Sequence, residues 1–153
     1  SRMQALRSEI GNHTYDHTDL NTHSAEDVSS QLSATDQEIQ DLAGHAATVV
    51  RPPYGAINDT VSSVVGRPMI LWSVDTLDWE TQNVDTTVQN VMDNAQDGAV
   101  ILMHDIFKES VDAAEIFIPQ LIEQGYELVT IEELAKAKGV QLQAGVSYGA
   151  MTD

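Results

Sequence analysis

Apolar residues along this chain fall into two rhythms: short continuous runs that end on a polar side chain, and longer stretches spaced by three and four. The first rhythm predicts buried strands and the second amphipathic helices. Residues 1–8 read as the end of a helix, followed by a short strand over 9–12 and a polar loop over 18–23. A long helix is expected from Ser24, a hydroxyl N-cap with acids in the first turn. Val28, Leu32, Ile39 and Leu42, with Thr35 between, form its buried stripe, and Gly44 stops it. Residues 48–50 make a β-branched strand that runs into the rigid turn Arg51-Pro52-Pro53-Tyr54-Gly55. Asn58 or Asp59 caps a short helix to Val65. A strand over 69–74 follows, and then a helix capped by Asp85 with Val88, Val91 and Met92 on one face. Asp97-Gly98 turns the chain into a strand over 99–103. A helix over 111–124 ends at Gly125; a strand over 126–130 and a helix over 131–138 complete the pattern. From Gly139 onward the tail has no pattern.

Strand, loop and helix thus alternate throughout, which predicts an α/β fold with a parallel sheet covered on both faces. Four polar groups, Asn12-His13, Arg51, Asp75 to Trp79 and His104-Asp105, follow directly on predicted strands. In barrels and open sheets of this class the C-terminal strand edge carries the active site.

His13 and His17 stand four residues apart, so on one helical turn both imidazoles would share a face and reach one metal ion. Two solvated surface histidines are the plain alternative. Arg51, ahead of two prolines, sits on a stiff backbone suited to a fixed ion pair with a carboxylate, or the prolines merely stiffen a loop. Tyr54 is either a packed aromatic or the donor of a rigid-turn N–H to a developing oxyanion. Asp78-Trp79 reads as a cap before a core aromatic, and His104 as a buried histidine. An Asp at the neighbouring strand end changes that reading, because a His–Asp pair suits a general acid. His23 and His45 read as surface residues, and Asp16, Asp19 and Asp105 as secondary candidates.

With 153 residues the chain allows one domain with a real core. Its 24 acidic against 7 basic residues, a formal charge of −17, argue against a nucleic-acid or anionic-membrane partner. There is no cysteine, so a metal must be held by His, carboxylate and water. No window has the apolar length of a membrane span and no signal peptide opens the chain. Its opening residues read as a helix already under way, so a fragment or a processed chain is expected.

These motifs carry a resemblance. His13-Thr14-Tyr15-Asp16-His17 resembles the H-[ST]-x-x-H motif of the polysaccharide deacetylases, the NodB-homology enzymes of carbohydrate esterase family 4. Arg51-Pro52-Pro53-Tyr54-Gly55, Asp75-Thr76-Leu77-Asp78-Trp79 and Leu102-Met103-His104-Asp105 resemble the later motifs, in the family's order and over nearly the whole chain to about Lys138. Within the family the chain looks most like the bacterial peptidoglycan N-acetylglucosamine deacetylases. The family's first motif, an Asp-Asp strand end supplying a catalytic base and a third metal ligand, does not occur here.

The resemblance implies a distorted β/α barrel of the NodB type, with this chain as its C-terminal part without the first strands, since such barrels run to roughly 200 residues or more. It implies one divalent metal held by His13 and His17, with zinc expected and cobalt, nickel or iron also accepted. His104 would be the general acid, Asp78 its orienter and Arg51 the partner of the absent base. Tyr54 would donate to the oxyanion, and Trp79 and Leu102 would wall the acetyl pocket. The implied partners are an N-acetylated polysaccharide and the N-terminal fragment of the same protein. The location is extracellular or at the cell surface, tethered through a region absent here. Chitin oligomers, acetylxylan and an inactive carbohydrate-binding domain are the alternatives.

Overall fold

The computed structural model describes residues 6–152, in two compact units. One unit runs to Leu71 and takes in Thr130–Tyr148; the other comprises Trp72–Val129 and residues 149–152. In chain order the elements are α1 (Ala25–Ala43), α2 (Asp59–Val64), β1 (Met69–Ile70), β2 (Val74–Asp75), α3 (Asp78–Thr81), α4 (Val84–Asn94), β3 (Ile101–Leu102), α5 (Lys108–Glu123), α6 (Ile131–Ala137) and β4 (Ser147–Tyr148). Short 3-10 turns lie at Leu20–Thr22 and Pro53–Gly55. The expected helix end over 1–8 falls mostly outside the described residues; Leu6 and Arg7 form a turn. None of the described helices is long and apolar enough to cross a membrane.

In the first unit α1 begins at Ser24, whose hydroxyl accepts from the Asp27 N–H, and ends at Gly44 with φ +79°. Its stripe buries Val28 and Leu32, half-buries Ile39 and leaves Leu42 73% exposed. Only the first half of the helix therefore meets the core, which joins Leu20, Val28, Leu32, Val50, Val61, Val65 and Met69. Leu20 lies in the loop expected to be polar, where an Asp19-capped turn carries it inward. The expected strand over 9–12 contracts to one residue, Asn12, bridged in parallel to Val50, which in turn bridges Met69. β1 pairs in parallel with β4, so the tail without a pattern supplies a strand. At two residues β4 is too short for any alternation to announce it.

In the second unit β2 and β3 pair in parallel, with Val74 opposite Ile101 and Asp75 opposite Leu102. The single strand expected over 69–74 is thus two strands in different units. Asn83, not Asp85, caps α4, its side chain accepting from the Thr86 N–H. α5 starts earlier than expected, at Lys108, and Phe107 precedes it without a side-chain cap. Val91 of α4 packs with Ala113, Phe117 and Leu121 of α5. Residues 126–130 form no ladder, and Leu128 and Val129 are exposed. Buried Met151 donates its N–H to the Gly98 carbonyl. Gly98 has φ +82°, and a Cβ there would lie 2.1 Å from the Met151 oxygen, so only glycine fits.

Candidate active site

The first cluster grows from the Asn12–Val50 bridge. Because the bridge is parallel, His13 and Arg51 leave it in the same direction. The Arg51 N–H donates to the Asn12 carbonyl at 2.8 Å, and the His13 ring Nδ1 lies 2.5 Å from the Arg51 carbonyl oxygen. A carbonyl only accepts, so Nδ1 carries the hydrogen; in the neutral ring the lone pair is then at Nε2, the ligating tautomer of imidazole. Residues 13–17 are not the helical turn their spacing suggested. Thr14 and His17 take left-handed backbone, φ +67° and +59°, and this turn brings the two rings to 4.9 Å, edge to face.

Left-handed residues other than glycine cost about 1–3 kcal/mol each and persist where their surroundings over-determine them. Here fully buried Asn12 does so. Its Oδ1 accepts the Thr14 N–H, and its Nδ2 donates to the Leu32 carbonyl and Asp36 of α1. The Thr14 hydroxyl accepts the His17 N–H at 3.1 Å. Gln31 of α1 accepts the N–H groups of Tyr15 and Asp16 through one oxygen, at 3.0 and 3.2 Å. Gln31 was not legible in the sequence, because nothing marks a helix residue between core positions as an acceptor for a distant loop.

Arg51 is half-buried; its Nε and Nη2 donate to the carbonyls of Ile70 and Leu71 at 3.1 and 3.3 Å. Burial lowers its pKa from the ordinary arginine value. Among the described residues it forms no ion pair, so the expected fixed carboxylate partner is not found there. Tyr54 has φ +59° and is 69% exposed. Its ring stands edge-on to His17 at 4.9 Å, with the hydroxyl 3.3 Å from His17 Nδ1. The two hydrogen bonds of its turn come from Gly55 and Ala56, not from the Tyr54 N–H. The His13 and His17 rings lie side by side, and no group of three or more His, Cys, Asp or Glu side chains able to hold a metal ion is found among the described residues.

The second cluster repeats the plan on β2 and β3. Their parallel pairing sends Thr76 to Asp78 and Met103-His104 out at the same end, where the Thr76 hydroxyl donates to the Leu102 carbonyl. Asp78 is 1% exposed and accepts four hydrogen bonds. Oδ1 takes His104 Nδ1 and the Trp79 N–H, both at 2.9 Å; Oδ2 takes the His104 N–H and the Ser110 hydroxyl, both at 2.6 Å. Burial alone would raise the pKa of this carboxyl. The hydrogen bonds from Ser110 and His104 and the attraction of the imidazole outweigh burial and hold it below the usual range. His104 is one-third exposed, so its ring is anchored at Nδ1 and open to solvent. Trp79 is 48% exposed rather than a core aromatic, and Leu102 is buried.

Other candidates fall outside these clusters. His23 is half-buried, with Nε2 bonded to the Thr18 hydroxyl at 2.7 Å, not the surface residue expected; His45 is exposed. Asp16 and Asp105 are exposed, and Asp19 caps its turn.

A profile described as polysaccharide deacetylase matches residues 1–67. The solved structure of the peptidoglycan deacetylase PdaC from Bacillus subtilis is 41% identical, with a TM-score of 0.88, over 90% of this chain and 68% of that one. The chain belongs to the polysaccharide deacetylase family.

The family's NodB-type α/β fold matches the expectation. An acetyl xylan esterase of carbohydrate esterase family 4 from Clostridium thermocellum, solved with a cobalt ion, superposes with a TM-score of 0.93 at 28% identity, over 99% of this chain and 77% of that one. Among curated relatives, the peptidoglycan-N-acetylglucosamine deacetylase PgdA of Listeria monocytogenes is 41% identical over 95% of this chain. PdaC, named a peptidoglycan-N-acetylmuramic acid deacetylase, is 42% identical over 90%. The chain spans about three-tenths of the length of these two relatives.

Proposed function

We propose that this chain carries the catalytic residues of a metal-dependent deacetylase that hydrolyses the N-acetyl groups of N-acetylglucosamine in peptidoglycan. The observation that carries the reading is the Asp78–His104 pair, an imidazole fixed at one nitrogen by a buried carboxylate and open at the other. In this reading water adds to the acetamide carbonyl, the C–N bond breaks, and acetate and a free sugar amine result. His104 holds the proton at Nε2 and delivers it to the leaving nitrogen, while Asp78 keeps the ring in the Nδ1–H tautomer. The Tyr54 N–H donates to the developing oxyanion; one such donor is worth about 3 kcal/mol. Trp79 and Leu102 enclose the acetyl methyl.

His13 and His17 hold a divalent metal, zinc in the first instance with cobalt or nickel as alternatives. Bound there, it supplies Lewis acidity toward a carbonyl and lowers the pKa of a coordinated water toward about 7. The anchoring of His13 at Nδ1 by the Arg51 carbonyl and the 4.9 Å ring spacing support this assignment. Arg51, a desolvated cation with no ion pair among the described residues, supports a carboxylate supplied by an N-terminal segment of the same protein. That carboxylate serves as base, and a second one completes the metal site. A peptidoglycan substrate implies action outside the cytoplasmic membrane.

The test is acetate released from peptidoglycan, chitin oligomers and acetylxylan, with the deacetylated sugar identified by mass spectrometry. The reading expects peptidoglycan to lead and glucosamine to appear. Equal rates on all three contradict the substrate, and muramic acid as the product moves the assignment to the sugar in PdaC's name.

A further inference from the structure

Ser110 belongs to none of the strand-end motifs. It lies in the first turn of α5, is 1% exposed, and donates its hydroxyl to Asp78 Oδ2 at 2.6 Å. A serine in a first helical turn ordinarily bonds backbone groups of its own helix or water. This one reaches a carboxylate 32 residues away in sequence. Of the other three donors to that carboxylate, two belong to His104 itself and one to Trp79, the next residue in the chain. One of them is the imidazole to be fixed, and the other two are main-chain groups of the dyad's own segments. Ser110 stands on a separate element, whose Ala113, Phe117 and Leu121 are buried in the core of the unit.

We infer that Ser110 is a positioning residue for the acid step, locking the Asp78 carboxylate so that Oδ1 faces His104 Nδ1 and Nε2 is left to carry the proton. This rests on the proposed deacetylase reading. A buried carboxylate robbed of its external donor turns about Cβ–Cγ or draws in water, and either change loosens the imidazole it orients.

The experiment compares Ser110→Ala and Ser110→Thr in the metal-loaded full-length protein, reading kcat, KM, metal content, thermal midpoint and the His104 Nδ1–H proton resonance. The expected result for Ser110→Ala is a kcat about tenfold lower, short of the roughly 10²–10⁴ carried by a general acid itself. KM and metal content stay unchanged, and the resonance broadens or moves upfield. Ser110→Thr, which keeps the hydroxyl, restores kcat and the resonance. An Ala variant with a lowered thermal midpoint but unchanged kcat and resonance overturns the inference and leaves Ser110 a helix anchor. If the wild-type enzyme releases no acetate, the deacetylase reading fails by itself. The resonance then still decides whether Ser110 holds the pair.

Discussion

His13 and His17 are exposed and stand on a turn with two left-handed residues, whereas Asp78 is 1% exposed and carries four hydrogen bonds. Both clusters are nevertheless built alike. In each, two parallel partners end together, and the residues that follow bond across: His13 to the Arg51 carbonyl, His104 to Asp78. The difference lies in what holds the groups. The imidazole pair is set by backbone amides caught on Asn12, just ahead of the turn, and on Gln31 of α1. The dyad is set at one buried carboxylate, where the His104 and Ser110 side chains join two backbone amides. In the proposed reading a metal ligand needs a ring lone pair to offer the ion, and a coordinated ion would finish the ordering that the turn begins. A general acid must keep one tautomer through turnover, which requires a partner fixed before substrate arrives.

The sharpest way to break this comparison is to remove the dyad's charge while keeping its shape. Asp78→Asn is expected to lower kcat by about 10²–10⁴ with metal content unchanged, as loss of a fixed imidazole tautomer does. Activity within a factor of two of wild type would mean that the carboxylate orients nothing. A smaller effect comes from the other cluster. Gln31→Leu deprives the Tyr15 and Asp16 amides of their acceptor, and metal affinity should fall about tenfold, in the range seen when groups supporting a ligand are lost. Gln31→Glu keeps the acceptor and should bind metal as wild type does. Faster hydrogen exchange at Tyr15 and Asp16 in the Leu variant reads the same loosening without metal.

The smallest effect concerns pH. Because the folded protein holds the Asp78 pKa below its ordinary value, the carboxylate contributes stability that is fully present above about pH 4. That contribution disappears as pH falls through the lower folded value. Denaturant midpoints of wild type and Asp78→Asn should therefore differ at neutral pH and converge in acid. A gap that widens in acid would reverse the sign of the shift.

Both clusters were legible because each ends an apolar run with a side chain capable of chemistry, a local pattern. The supports were not. Ser110 and Gln31 act on groups 32 and 15 or 16 residues away, and neither has a neighbour in sequence that marks it. Leu42 keeps the helical spacing of α1 yet lies exposed, since spacing defines a face but not how far the core extends along it. β1 and β2 read as one strand because the break at 71–73 retains Leu71 and Trp72, and residues 126–130 have strand propensity without a ladder. Propensity cannot supply the partner strand. The pairing of His13 with His17 was anticipated for the wrong geometry, a helical turn instead of a left-handed one.

The division of labour between the clusters is tested most directly by measuring bound metal in His17→Ala and His104→Ala side by side. The account predicts that His17→Ala loses tight metal binding, while His104→Ala keeps it and loses most turnover. Stoichiometric metal retained in His17→Ala, or lost from His104→Ala, would contradict it.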